Sequence, residues 1–198
     1  MNETEIIFLI DRSGSMNVCE DDTIGGYNSF LEQQKKGRPG AFVTTVLFDN
    51  HYEIFCDHVS ISEAAFLSEK EYFARGSTAL LDAIGLTISR ALSRQAEGGG
   101  ASETLMVIIT DGLDNSSKKY HIKTIFDMIH ECEANGWEFI FLGADIDSVR
   151  TAQSIGISRD RAGSFTKDSA GIRGKFDGIS RTVAHFRDTG KVSTDWRG

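Results

Sequence analysis

The stretch TLMVIITD, residues 104–111, carries almost no polar side chain until its end. A strand with one wet face alternates apolar and polar residues, so a run that stays apolar on successive positions belongs to a sheet covered on both sides. EIIFLI (5–10) and WEFIFLGA (137–144) have the same character. Longer segments with helical periodicity separate these runs, which is the pattern of strands joined by crossover helices. The chain therefore predicts an α/β fold: a Rossmann-like, doubly wound, mostly parallel central sheet of about six strands, with helices on both faces.

The intervening segments fill in the order. From about Thr23, the residues Ile24, Tyr27, Phe30 and Gln34 step by threes and fours until KKG stops the helix. FVTTVLF (42–48) and HYEIFCDHV (51–59) are separated only by Asp49 and Asn50, so the hairpin 42–59 supplies one antiparallel edge strand. A polar connection over 60–77, with a short helix around SEAAFL, leads to a helix opened by Thr78. Leu81, Ile84, Ile88 and Leu92 form its stripe, and glycines 98–100 end it. A further helix shows Ile122, Ile125, Ile129 and Cys132. A short helix at 147–154, a weak edge strand at AGSFT, and a last helix with Ile172, Phe176, Ile179, Val183 and Phe186 follow. Residues 1–190 read as one domain, and 191–198 as a polar tail that frays.

Charge and cysteines narrow the partners. The net charge is −8, with no basic block, so neither nucleic acid nor an anionic membrane surface is an expected partner. No apolar run is long enough to span a bilayer, and the N-terminal run is too short and wrongly flanked for an export signal. Cys19, Cys56 and Cys132 are odd in number and widely spaced, which argues against a disulfide framework or a zinc cluster. A cytoplasmic, reduced setting is the expectation.

Ligands of doubly wound sheets bind beyond the carboxyl ends of the strands, where the strand order reverses. Asp11 ends the first apolar run and Asp111 ends the TLMVIITD run, so both point to that crevice. Ser13 and Ser15 follow Asp11 on the leaving loop, and Thr78 arrives from the connection before its helix. Asp11, Ser13, Ser15, Thr78 and Asp111 offer oxygen and neither nitrogen nor sulfur, which suits a hard divalent cation, Mg2+ or Mn2+. Three of the five are neutral hydroxyls. An ion so held stays short of negative charge and favours an anionic oxygen such as a partner's Asp or Glu side chain. Singly, each piece has a plainer reading: D-x-S-x-S and TDG are common turns, and GST is a routine helix start.

DRSGSM, GSTAL and TDG, in this order and on these elements, resemble the metal-ion-dependent adhesion site of von Willebrand factor type A domains. The resemblance covers essentially the whole chain, and Asp11, Ser13, Ser15, Thr78 and Asp111 match the family's five metal-site positions, with none missing. It implies a protein-interaction module in which a partner's carboxylate completes the coordination and the last helix can move. The chain looks more like the small intracellular bacterial or phage-type members, which implies a partner belonging to an ATPase, kinase or chelatase system. The competing class is a metal-dependent hydrolase or phosphatase. Such sites want a second acid two residues beyond the first, where Ser13 stands, and no G-x-S-x-G elbow is present. Around the site, Arg12 is expected to project toward an acidic partner, and Met16 and Val18 to form an apolar rim. Asp114 and Asn115 shape the rim or accept hydrogen bonds from the residues that hold the ion, the plainer reading being that they cap the following helix, and His121 is the one histidine expected near the site.

Overall fold

Alternate residues of the first strand, β1 (Thr4–Asp11), enter two separate cores. Ile6, Phe8 and Ile10 pack with Tyr27, Phe30 and Leu31 of α1 (Glu20–Lys35) and with Phe176, Ile179 and Val183 of α5 (Ser169–Thr189). Ile7 and Leu9 pack on the other side with Leu81, Ile84 and Ile88 of α2 (Leu80–Ala96), Ile125 and Ile129 of α3 (Ile122–Ala134), and Ala152 of α4 (Ser148–Ser154). Because side chains alternate along a strand, one apolar run serves both layers. The structure, a computed structural model, describes residues 3–144, 147–166, 169–193 and 196.

The remaining strands are β2 (Ala41–Phe48), β3 (Tyr52–Ser60), β4 (Glu103–Thr110), β5 (Glu138–Gly143) and β6 (Ala162–Ser164). They form a six-stranded sheet in the order β3-β2-β1-β4-β5-β6, parallel throughout except for the β2–β3 pair. The chain leaves β1 toward β2 and β3, then returns across it to β4. The strand order thus reverses between β1 and β4, and their carboxyl ends flank the crevice. The expected doubly wound fold is the observed one.

Several local expectations are corrected. A 3-10 turn, Gly14–Cys19, precedes α1, so the helix starts at Glu20 rather than near Thr23. No helix forms around SEAAFL. Instead Asn28 on α1 clasps that connection with both ends of its amide, donating to Leu67 O at 2.9 Å and accepting from Leu67 N at 2.8 Å. Leu92 and Ile122, expected on buried stripes, are exposed at helix edges. The tail does not simply fray: Val192 and Trp196 are buried, and Trp196 Nε1 donates to Asp160 O at 2.5 Å. Tail positions 194, 195, 197 and 198 lie outside the described residues. No helix among the described residues is long and apolar enough to cross a membrane.

The α1–α5 contact rests on one small residue. A Cβ added at Gly26 would lie 2.2 Å from Cδ2 of Phe176, whose ring is buried and stacked on Phe8 at 6.4 Å. Gly26→Ala is expected to cost about 1–3 kcal/mol, because the ring has no empty space to enter. Urea unfolding measures it, and an unchanged midpoint would refute the close packing.

Candidate functional site

The register pairs Ile10 of β1 with Ile109 of β4, so Asp11 stands opposite Thr110 and Asp111 follows one residue further on, at the same crevice. Asp11 is fully buried. Its Oδ1 accepts from Ser13 N at 2.7 Å and its Oδ2 from Thr110 Oγ1 at 2.6 Å. Ser15 Oγ donates to Asp111 Oδ1 at 2.7 Å, and the hydroxyls of Ser13 and Ser15 lie 3.3 Å apart. Thr78 completes the group from the other side of Gly112: a Cβ on that glycine would lie 3.3 Å from Thr78 Oγ1 and 4.0 Å from Ser15 Oγ. All five residues singled out in the sequence therefore meet in one place. Ser15 is exposed, while Ser13, Thr78 and Asp111 are buried.

The electrostatics are unusual for a carboxylate. Burial pushes the Asp11 carboxyl up to about 6, against the lowering effect of its Thr110 and Ser13 hydrogen bonds, and the Asp111 charge adds to the rise. Among the described residues no three His, Cys, Asp or Glu side chains gather as a metal cluster. The donor set is two carboxylates and three hydroxyls, which fits a hard, oxygen-seeking cation rather than one that needs imidazole or thiolate.

The loops that present these oxygens are tied to one another. Arg12 N donates to Phe48 O at 2.8 Å, Arg75 N to Arg12 O at 2.8 Å, and Gly14 N to Gly76 O at 3.1 Å. Ala79 N donates to Asp49 O at 3.0 Å, and Asn115 N to Thr78 O at 2.9 Å. Gly76 bends its loop at φ +66°, a backbone conformation that favours glycine, and a Cβ there would also displace the Asn50 amide oxygen, 2.0 Å away. Tyr72, fully buried, donates from its hydroxyl to Asp11 O at 2.7 Å.

The surroundings correct three expectations. Arg12 does not project. It is buried, donating to Asp49 Oδ2 at 3.0 Å, Glu53 Oε2 at 2.6 Å and Glu71 O at 3.1 Å, because the hairpin turn brings acids over it. Met16 is also fully buried, turned into the core by the 3-10 turn, and so cannot form a rim. Val18 does stand exposed, at 62%, and Leu113, not anticipated, is exposed at 61%. Asp114 and Asn115 do not cap the following helix; Asn115 takes the expected acceptor role beside a site residue, and both brace the start of the preceding helix. Asn115 Oδ1 accepts from Thr78 N at 2.8 Å, and Asp114 Oδ1 from Leu81 N at 3.3 Å. His121 is exposed just before α3, and among the described residues no side-chain hydrogen bond ties it to the site. Thr110 and Tyr72 were missed. Thr110 had a signal, since it is a polar residue inside an apolar run just before Asp111.

Comparisons with known proteins agree with this architecture. The vWF domain of the type V pili tip protein Mfa5 from Porphyromonas gingivalis superposes with a TM-score of 0.70 at 12% identity, covering 97% of this chain and 98% of that one. Proximal thread matrix protein 1 from the mussel byssus, solved with a zinc-occupied MIDAS motif, gives 0.66 at 14% identity, covering 92% of this chain. The pilus adhesin SpaC from Lactobacillus rhamnosus GG, in an open conformation, gives 0.69 at 12% identity over 93% of this chain. The chain spans 46% of the mussel protein and 30% of SpaC. At these identities the likeness is one of fold. No curated protein is matched by sequence. The family model for the von Willebrand factor type A domain matches residues 5–173, and with it the chain belongs to the von Willebrand factor type A family.

Proposed function

We propose that Asp11, Ser13, Ser15, Thr78 and Asp111 hold Mg2+ or Mn2+, and that the domain captures a partner protein through one of its Asp or Glu side chains. The observation that carries the reading is the meeting of carboxylate and hydroxyl oxygens from three separate segments at the β1–β4 crevice. When bound, such an ion supplies an electrophilic position for an anionic oxygen, since only two acidic side chains offset its charge. The chain's own part is to orient the oxygens. Thr110 and the Ser13 amide aim the Asp11 carboxylate, Ser15 aims Asp111, and Asn115 holds the Thr78 backbone. Exposed Val18 and Leu113, on the loops that carry Ser15 and Asp111, give a partner apolar contact around its acid.

The family's interaction role supports a binding module over an enzyme, and Ser13 stands where a phosphatase would place its second acid. The mussel neighbour's zinc-occupied motif supports a divalent ion at this end of the fold. Residues 1–190 as one domain, a cytoplasmic setting, and a partner from an ATPase or kinase system complete the proposal. Calorimetry with Mg2+ and Mn2+ tests the ion: Asp111→Ala is expected to weaken binding at least tenfold while the circular dichroism stays the same. Affinity capture with and without chelator tests the partner. Capture that survives both chelation and Asp111→Ala would sink the proposal.

A further inference from the structure

Far from this crevice, at the carboxyl ends of α1 and α5, a cavity of about 290 Å3 is lined by Gln33, Gln34, Arg38, Ser180, Arg181 and Arg187, with Asp188 at its edge. Three arginines lining one space are unexpected in a chain of net charge −8. Arg187 is the inner one, only 3% exposed. Its Nη1 donates to Gln34 O at 3.1 Å and to Gln34 Oε1 at 2.9 Å, and its Nη2 donates to Arg38 O. All three acceptors are neutral. Among the described residues no carboxylate lies in ion-pair contact with Arg187. A buried cation normally has a countercharge, and the cost of leaving one unmatched is several kcal/mol. Burial and the neighbouring Arg38 charge push the Arg187 guanidinium below its usual range, and the Asp188 charge offsets them only in part.

The cavity wall is ordered in advance. Gln34 Nε2 donates to Ser180 O at 2.9 Å and to Ser180 Oγ at 3.1 Å, and Ser180 Oγ donates to Gln33 Oε1 at 2.7 Å. Gly37 leaves room for the guanidinium, since a Cβ there would sit 3.0 Å from Arg187 Nη1. A guanidinium has five N–H donors in a fixed fork, and three of those on Arg187 are engaged. Arg38 and Arg181 add exposed cations, and Asp188, the one acid lining the cavity among the described residues, meets Arg38 at 3.5 Å on the surface.

From this arrangement we propose that the α1–α5 cavity is an anion site for a phosphate group, with Arg187 as its buried anchor and Arg38 and Arg181 closing over the anion. A tetrahedral dianion can accept from several guanidinium forks at once, which suits a cavity lined by Arg38 just after α1 and by Arg181 and Arg187 of α5 better than a single carboxylate does. Bound there, the phosphate would tie the segment after α1 to the last helix.

The test uses the whole chain at constant ionic strength, with chelator present so that no ion in the crevice can hold phosphate. Inorganic phosphate is expected to bind by calorimetry and to raise the melting temperature, where chloride does neither. Arg38→Gln with Arg181→Gln, both on exposed side chains, is expected to weaken phosphate binding at least tenfold with an unchanged dichroism spectrum. Asp188→Asn, which removes the competing acid, is expected to tighten it severalfold. A phosphoserine peptide run in parallel distinguishes the source: tighter binding than inorganic phosphate assigns the site to a phosphorylated segment, and equal or weaker binding to a free phosphate compound. Phosphate binding no stronger than chloride, or unchanged in the double variant, overturns the proposal.

Discussion

Arg12→Ala is expected to remove about 3 kcal/mol of stability, the largest loss of any single side chain on the loops around the crevice. Truncating one partner of a buried ion pair costs about 3–5 kcal/mol, because the other charge stays buried without its match. Asp49 is fully buried and keeps Arg75 Nε at 2.8 Å and the His51 amide at 2.6 Å after the change, which holds the loss toward the lower bound. Lysine should not rescue it. The three acceptors, Asp49, Glu53 and the Glu71 carbonyl, are spread around a planar fork that a single ammonium cannot reproduce. Urea unfolding of wild type, Arg12→Ala and Arg12→Lys measures this, and a loss below about 1 kcal/mol would show the cluster to be ornamental. Asp49 also predicts an acid limit. Burial raises its carboxyl, but hydrogen bonds from Arg75 and His51 and the Arg12 charge outweigh that and leave it below the ordinary value of 3.8. Its stabilising contribution is present above pH 3.8 and disappears as the pH falls through the depressed folded value.

Asp11→Asn is expected to stabilise the metal-free protein near pH 7.5 while abolishing the response to Mg2+. The folded carboxyl titrates at about 6 instead of 3.8, so the folded state holds its proton more tightly than the unfolded chain does. The sign follows directly. Below pH 3.8 both states are protonated and the group costs nothing. Between 3.8 and 6 stability falls as the pH rises, and above 6 the full penalty stands, about 2–3 kcal/mol from a shift of this size. Asparagine keeps the shape and removes the charge, so most of that penalty is recovered at neutral pH. A bound divalent ion favours the ionised carboxylate, so metal affinity should be about tenfold weaker at pH 5 than on its plateau above pH 6. Thermal unfolding and Mg2+ calorimetry at pH 5, 6 and 7.5 read both effects. A metal affinity independent of pH over this range, or an Asp11→Asn variant less stable than wild type at pH 7.5 without metal, would contradict the account.

How much of this could be read from the residues follows from how far apart the interacting groups lie in the chain. The sheet was legible because the strands that end in Asp11 and Thr110 stay apolar on successive positions, a local pattern with one physical cause. The five crevice residues were legible because Asp11 and Asp111 end such apolar runs, Ser13 and Ser15 follow closely on the leaving loop, and Thr78 stands just before an apolar helical stripe. Arg12 was misread because its partners are 37 and 41 positions away, and nothing in DRSGSM shows that the hairpin turn lies over it. Met16 was misread for a related reason: a 3-10 turn brings every third residue to the same side, here Met16 and Cys19, and a short polar loop carries no periodicity to reveal it. The roles of Asp114 and Asn115 depended on which neighbouring helix lay closer in space, a question of tertiary order rather than of sequence spacing. The Arg187 cavity had no signal at all in a single chain, since it is built where the ends of two distant helices meet.

The backbone bonds linking the segments after β1, before α2 and after β4 have a kinetic meaning. Five backbone amides tie these three stretches to each other and to the hairpin. Uptake of a cation there should therefore resemble filling a finished socket, with association governed by loss of water from the ion and little entropy spent on the polypeptide. Amides in these loops should already exchange slowly with solvent deuterium before any ion is added.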